Sequence, residues 1–116
     1  MEFNDNKPIY RQIIDFAYSQ IMGDFWKPDQ RIPSVRELSM DLQVNSRTVL
    51  KALEHLQNLG IIISRRGMGF ILNSEAKKKV VEERRKDFFA TTIPALVEEM
   101  RLLGIRQKDI SEYLPS

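Results

Sequence analysis

The chain has 116 residues, of which 42% are hydrophobic and 29% are charged, with a formal net charge of +2. This length holds one ordinary domain or a small domain with an appendage, and the composition predicts a globular protein. With no cysteine and a single histidine, His55, the chain excludes disulfides and thiolate sites and offers little for a catalytic triad. We therefore expect no enzyme, no metal and no other cofactor.

Hydropathy and charge along the chain indicate where the protein resides and which part of it is basic. No apolar run approaches the about 20 residues that a membrane helix needs, and the N-terminus does not resemble a secretion signal. We therefore expect a cytoplasmic protein that does not contact membranes. Residues 31–72 carry six basic and three acidic side chains, so the basic part of the chain is its middle.

The first predicted helix begins at Pro8, a residue suited to the first helical position, and ends near Gly23. Its apolar positions recur with helical spacing and predict one buried face: Tyr10, Ile13, Ile14, Ala17 and Ile21. Two aromatic residues, Phe25 and Trp26, follow the helix, and we expect both to attach the next turn to the core.

Two further helices are predicted with a short turn between them. Ser34 and Glu37 form a capping-box pattern at the start of the first of these helices. The second begins with Asn45 or Ser46 as its cap and ends before Gly60, where a left-handed residue would close it. Two helices joined by about four residues have the spacing of a helix-turn-helix.

A β-hairpin follows directly. Residues 61–64 and 70–72 are rich in β-branched and aromatic side chains, and a basic, glycine-rich stretch separates them. A hairpin at this place is typical of a wing, whose tip commonly lies along or in the minor groove of DNA.

The remaining residues return to a helical pattern from Ser74, with a kink or break expected near Thr92 because of Pro94 and a stop at Gly104. A short last helix is predicted over residues 107–114. We therefore predict a mainly α fold with a small β-hairpin, in which residues 1–73 form a winged helix-turn-helix and residues 74–116 form a helical tail that mediates dimerisation. The predicted dimerisation residues are the apolar ones of the tail: Phe88, Phe89, Ile93, Leu96, Val97, Met100 and Leu103.

A DNA-reading helix pair contacts bases mainly through the start of its second helix. Arg47 is our first choice for base reading, because a guanidinium can bind guanine O6 and N7 together, whereas Lys51 more plausibly contacts phosphate. The full set of predicted DNA-binding residues is Arg36, Asn45, Ser46, Arg47, Thr48, Lys51, Arg65, Arg66 and Gly67.

Each basic candidate outside the second helix has a simpler alternative. Arg36 could instead pair with Glu37 or Asp41 as a surface salt bridge, which would contribute little to stability. Arg65 and Arg66 could be solubilising charges on an edge hairpin. We assign no function to His55.

These segments together resemble the GntR family of bacterial regulators over about residues 8–72. The resemblance rests on spaced, chemically different positions: Pro8-Ile9-Tyr10-Arg11-Gln12-Ile13, Ile32-Pro33-Ser34-Val35-Arg36-Glu37-Leu38, Val44-Asn45-Ser46-Arg47-Thr48-Val49, Ala52-Leu53, Leu56, Leu59-Gly60-Ile61-Ile62 and Arg66-Gly67-Met68-Gly69-Phe70-Ile71.

The resemblance implies a winged helix that binds operator DNA as a homodimer, usually as a repressor that a small molecule releases. The short tail is similar to that of the YtrA-type subfamily, in which the tail serves chiefly in dimerisation. The resemblance leaves open whether a small-molecule effector binds. The family's DNA-contacting positions fall on Arg36, Asn45, Arg47, Thr48, Arg66 and Gly67.

Two departures from the family pattern stand out. Asp29-Gln30 replaces a common glycine-aspartate pair in the turn before Pro33, so the backbone of this turn is expected to differ. Leu50 stands where many relatives have a basic residue, which removes one expected DNA contact.

The sequence therefore favours a sequence-specific transcription regulator, a homodimeric repressor on a pseudo-palindromic operator. The alternative is a winged-helix adaptor that binds a protein partner and has no sequence-specific DNA binding. The basic wing argues against the adaptor.

Overall fold

A computed structural model describes residues 3–4 and 6–116. The chain divides into two compact units, Met1–Val81 and Glu82–Ser116. The protein is mainly helical, with one antiparallel sheet of two strands. The predicted fold class is confirmed.

The first helix, α1, spans Ile9–Met22, so it begins one residue later than the predicted start. Pro8 caps it, and the Pro8 carbonyl accepts hydrogen bonds from the backbone N–H groups of Arg11 and Gln12. The side chain of Gln12 is buried but paired, because its amide nitrogen donates to the carbonyls of Asn4 and Lys7. These bonds fasten the N-terminal segment to α1.

The turn after α1 holds only one of its two aromatic side chains in the core. Trp26 is buried and contacts Phe16 edge to face, with ring centroids 6.3 Å apart. Phe25 is 75% exposed, so the prediction that it packs into the core is wrong. At this turn the Trp26 indole packs into the core, whereas the Phe25 ring is exposed to solvent.

The predicted helix pair is present, with α2 at Val35–Leu42 and α3 at Ser46–Asn58. The capping box is complete: the Glu37 backbone N–H donates to Ser34 Oγ at 3.0 Å, and the Ser34 N–H donates to Glu37 Oε1 at 3.2 Å. Gln43 adopts a left-handed conformation, φ 56°, and ends α2. Asn45 then caps α3.

The wing consists of strands β1, Ile62–Arg65, and β2, Gly69–Leu72, in antiparallel register with Ile62 opposite Leu72. Both strands lie within about one residue of the predicted segments. Gly67 and Gly69 have φ near +80°, a conformation that glycine adopts without steric strain.

A third segment, which the sequence did not predict as extended, runs along the outer edge of β2. Arg31 forms a β-bridge with Ile71, and backbone hydrogen bonds join Ile32 to Phe70 and Gln30 to Leu72. Asp29 starts this segment in a left-handed conformation, φ 64°, and its N–H donates to the Leu72 carbonyl at 2.8 Å. An aspartate thus adopts here a conformation that glycine favours.

Asn73 connects the wing to the helix that follows. Its amide nitrogen donates to the Gly60 carbonyl at 2.8 Å, and its Oδ1 accepts from the Glu75 backbone N–H at 2.9 Å. The next helix, α4, spans Ala76–Asp87, and its residues Ala76 and Val80 belong to the core of the first unit. One side chain therefore holds the ends of α3 and the wing beside the start of α4.

The second unit contains the end of α4 and four further helical segments. A π-helical segment, Phe88–Thr92, leads into α5, Ile93–Leu103, so the helix passes through Pro94. The expected irregularity near Thr92 is a wider helical turn rather than a break. Gly104 ends α5 with φ 65°, and α6, Gln107–Ile110, is followed by a 3₁₀ turn at Ser111–Tyr113. The last predicted helix is therefore shorter than expected.

Replacing Asn73 with alanine should lower the free energy of unfolding by about 1–3 kcal/mol, because two hydrogen bonds are lost and the Gly60 carbonyl loses its partner. Urea denaturation followed by circular dichroism measures the change. Asn58→Ala, at an exposed site at the end of α3, is the matched control and should stay within about 0.5 kcal/mol of the wild type. Equal losses in the two variants would contradict the role of Asn73.

Candidate nucleic-acid interface

The start of α3 is exposed and has a side-chain cap. Asn45 Oδ1 accepts a hydrogen bond from the Arg47 backbone N–H at 2.8 Å. Asn45, Ser46 and Arg47 are exposed, and Thr48 is partly buried. The first turn of a helix carries a partial positive charge, so an anion placed here would be stabilised.

The opposite side of α3 is fixed in the core. Four side chains at helical spacing have no exposed surface, namely Val49, Ala52, Leu53 and Leu56. α3 packs against α1, α2 and β1. Because this face is buried, the orientation of the exposed face is determined by the core.

Lys51 lies one turn into α3 and is held by an aromatic ring. Its ammonium nitrogen is 4.0 Å from the centroid of the Tyr10 ring on α1, and the Arg11 guanidinium carbon is 5.5 Å from the same centroid. Cation–π contacts at exposed sites contribute about 0.5–1 kcal/mol. The sequence placed Tyr10 on the buried face of α1, and nothing in its spacing signalled that the ring would contact Lys51.

Arg36 lies in the first turn of α2 and is exposed. The alternative in which Arg36 pairs with Glu37 is not realised, because Glu37 Oε1 instead accepts from Arg31 Nη2 at 3.0 Å. The pKa of Glu37 is held below its usual value by the backbone N–H of Ser34, then by the Ser34 hydroxyl and the charge of Arg31. Within the described residues, Arg36 has no ion pair.

The wing tip is open to solvent. Arg65, Arg66 and Gly67 are all exposed, and a Cβ at Gly67 would meet no atom within 4 Å. The Met68 N–H donates to the Arg65 carbonyl at 3.0 Å and closes the turn. The tip can therefore approach a groove without displacing other parts of the chain.

Arg31 is a further cation that the sequence analysis did not select. Its Nε lies 4.0 Å from the position that a Cβ of Gly69 would occupy, and its guanidinium pairs with Glu37. Arg31 thus spans the distance between the wing and the first turn of α2, where Arg36 is located. The sequence signal for this position is weak: an exposed arginine precedes the buried Ile32.

A shallow groove of about 400 Å³ lies on the first unit, between the turn after α1 and the start of α2. Its lining includes both aromatic and charged side chains, among them Phe25, Trp26, Arg31 and Glu37. Within the described residues, no group of three or more histidine, aspartate or glutamate side chains lies close enough together to bind a metal ion. In the same part of the chain, every helix is too short or too polar to cross a bilayer.

The tail has an apolar face that its own unit does not cover. None of the residues of Glu82–Ser116 is buried. Of the predicted dimerisation residues, Ile93 and Met100 are partly buried, and the other five are exposed in the single chain: Phe88, Phe89, Leu96, Val97 and Leu103. The Phe88 and Phe89 rings contact each other edge to face at 5.3 Å.

Comparison with known proteins gives consistent results. Residues 9–72 match the family described as bacterial regulatory proteins, gntR family. The HTH-type transcriptional repressor YtrA of Bacillus subtilis is 31% identical over 92% of this chain and 82% of its own length. A GntR family transcriptional regulator from Listeria monocytogenes has a similar structure, with a TM-score of 0.76, 32% identity and 96% of each chain covered.

A third similarity concerns the DNA-binding part. The AraR DNA-binding domain, solved in complex with operator ORR3, matches with a TM-score of 0.55 and 29% identity, over 62% of this chain and 87% of that one. With its winged helix and short helical tail, the chain belongs to the gntR family of bacterial regulatory proteins, as a DNA-binding transcription regulator of the short-tailed YtrA type.

Proposed function

We propose that the protein is a homodimeric repressor that binds a pseudo-palindromic operator, with residues 1–73 as its DNA-binding domain and residues 74–116 as its dimerisation tail. The observation that carries this proposal is the capped, exposed start of α3, which presents Arg47 on a helix whose other face is buried. YtrA of Bacillus subtilis is named a transcriptional repressor, which supports repression rather than activation.

In this proposal the start of α3 enters the major groove, the usual docking geometry of a helix-turn-helix. Arg47 binds guanine O6 and N7, and Lys51, oriented by Tyr10, contacts phosphate. Asn45, Ser46 and Thr48 contribute polar contacts near the helix start. The AraR DNA-binding domain in its operator complex supports the assignment of the same fold to DNA reading.

The remaining predicted contacts flank α3. Arg36 contacts the phosphate backbone of the DNA from the first turn of α2, since its side chain is exposed and has no ion pair among the described residues. Arg65 and Arg66 lie with Gly67 at the wing tip, which suits a groove or the adjacent phosphates. These cations supply the sequence-independent part of the affinity, and they make binding salt-dependent.

The exposed apolar face of the tail supports dimerisation. Phe89, Val97 and Leu103 are each more than half exposed in the single chain. A second copy would cover the same face on both chains, as two-fold pairing requires. Such a dimer sets two recognition helices about 34 Å, or a multiple of it, apart, which corresponds to whole helical turns of DNA.

A fluorescence titration tests the proposal as a whole. The full chain should bind a duplex from the upstream region of its own gene at least about a thousandfold more tightly than a random duplex at equal salt. The two duplexes have the same length and label. Equal affinity for both would contradict operator binding and would favour the protein-adaptor alternative.

Arg47→Ala should weaken binding to the specific duplex by about 1–3 kcal/mol and relax the preference at one base position, because a bidentate contact to guanine is lost. Titrations of single-base variants of the site measure both effects. If the variant lost equal affinity for specific and random DNA, Arg47 would be a phosphate contact instead.

Lys51→Ala should weaken binding to every duplex and reduce the slope of log K against log salt by about 1 for each protomer, because one phosphate contact is lost. Titrations at several salt concentrations give the slope. Lys27→Ala, which removes an exposed lysine from the turn after α1, is the control and should leave the slope unchanged. An unchanged slope for Lys51→Ala would remove its assigned phosphate contact.

Leu96→Glu should weaken the dimer by about 3 kcal/mol or more, because two leucine side chains lose their burial at a two-fold interface. Sedimentation equilibrium measures the dissociation constant. Leu102→Glu is the control, since Leu102 is 68% exposed and lies on the opposite side of α5 from Ile93, Val97 and Met100. Equal weakening by both variants would contradict the assigned face.

A further inference from the structure

The exposed face of α3 carries one apolar side chain. The other exposed residues of this helix, which the structure describes in full, are polar or charged: Ser46, Arg47, Lys51, Glu54, Gln57 and Asn58. Leu50 is the exception, with 40% of its surface exposed. It lies three residues after Arg47, on the adjoining part of the same helix face.

Packing within the described residues leaves 40% of the Leu50 surface exposed. The buried residues of α3 are Val49, Ala52, Leu53 and Leu56, and Leu50 belongs neither to the core cluster nor to the partly buried side chains packed against it. Its neighbours along the exposed face of α3, Arg47 and Glu54, are charged.

We propose that Leu50 is a specificity-determining residue that reads a thymine through its C5-methyl group in the major groove. This inference rests on the proposed function, since it requires α3 to lie in that groove. Thymine alone presents a methyl group there, and apolar side chains contact it. Leu50 would bury its own methyl groups against that group and release water from both surfaces.

The other bases are disfavoured at this position for a separate reason. Adenine, guanine and cytosine have no methyl group in the major groove, and a leucine side chain cannot pair with the donors and acceptors that they present there. Each would lose water without gaining a hydrogen bond. Leu50 therefore both favours thymine and discriminates against the other three bases.

The spacing from Arg47 predicts where this thymine lies. Three residues advance about 4.5 Å along a helix, and successive bases of one strand are about 3.4 Å apart. The two side chains can thus reach neighbouring base pairs. We expect a thymine beside, or one step from, the guanine that Arg47 reads, once in each half-site.

Replacement of thymine by uracil tests the contact, because uracil keeps every pairing group and lacks only the methyl. Duplexes bound by the full wild-type chain are first selected from a random pool, and each thymine of the selected site is then replaced in turn by uracil. For the wild type, one position in each half-site should weaken binding by about threefold to tenfold. For Leu50→Ala, uracil at that position should have no effect.

The control is Gln57→Ala, which alters an exposed residue two turns further along α3 and should keep the uracil sensitivity of the wild type. Equal uracil sensitivity of the wild type and Leu50→Ala at every position, or a selected half-site without thymine, would overturn the role of Leu50 while leaving operator binding intact. Failure of the selection to enrich any sequence would instead overturn the proposed function, and the role of Leu50 with it.

Discussion

The buried face of α3 is the constraint on which the rest of the first unit depends. Val49, Ala52, Leu53 and Leu56 have no exposed surface, and each fully buried side chain of valine or leucine size stabilises the fold by about 1.5–3 kcal/mol. Rotation of α3 about its axis would expose these side chains, so the core sets the direction of its polar face. The pattern that folds the domain is also the one that presents Arg47.

The parts around α3 share its hydrophobic core, and polar contacts add to their positioning. Asn73 joins the end of the wing to Gly60 and to the start of α4, and Arg31 links the wing side to Glu37 on α2. Tyr10 holds the Lys51 ammonium beside α1. The Lys51 ammonium, which we assign to a phosphate contact, is thereby held on the side of α3 that faces α1.

The elements that the sequence predicted correctly depend on neighbours in the chain. The capping box at Ser34, the Asn45 cap and the left-handed Gly60 are all local patterns, and each is present. The features that sequence analysis missed depend on distant residues. The exposure of Phe25 and the strand-like segment at Arg31 follow from tertiary packing, which periodicity does not encode. The candidate DNA-contacting residues remain predictions, and the contact between Lys51 and Tyr10 was not signalled by the sequence.

A hydroxyl-radical footprint of the full chain on the upstream region of its own gene tests most directly whether two copies read one operator through α3. We expect two protected segments of the duplex, related by two-fold symmetry, with centres one helical turn, about 34 Å, or a multiple of it, apart. We also expect protection at protein concentrations that leave a random duplex unprotected. Protection of a single segment, or uniform protection only at concentrations that protect random DNA equally, would contradict operator binding by a dimer.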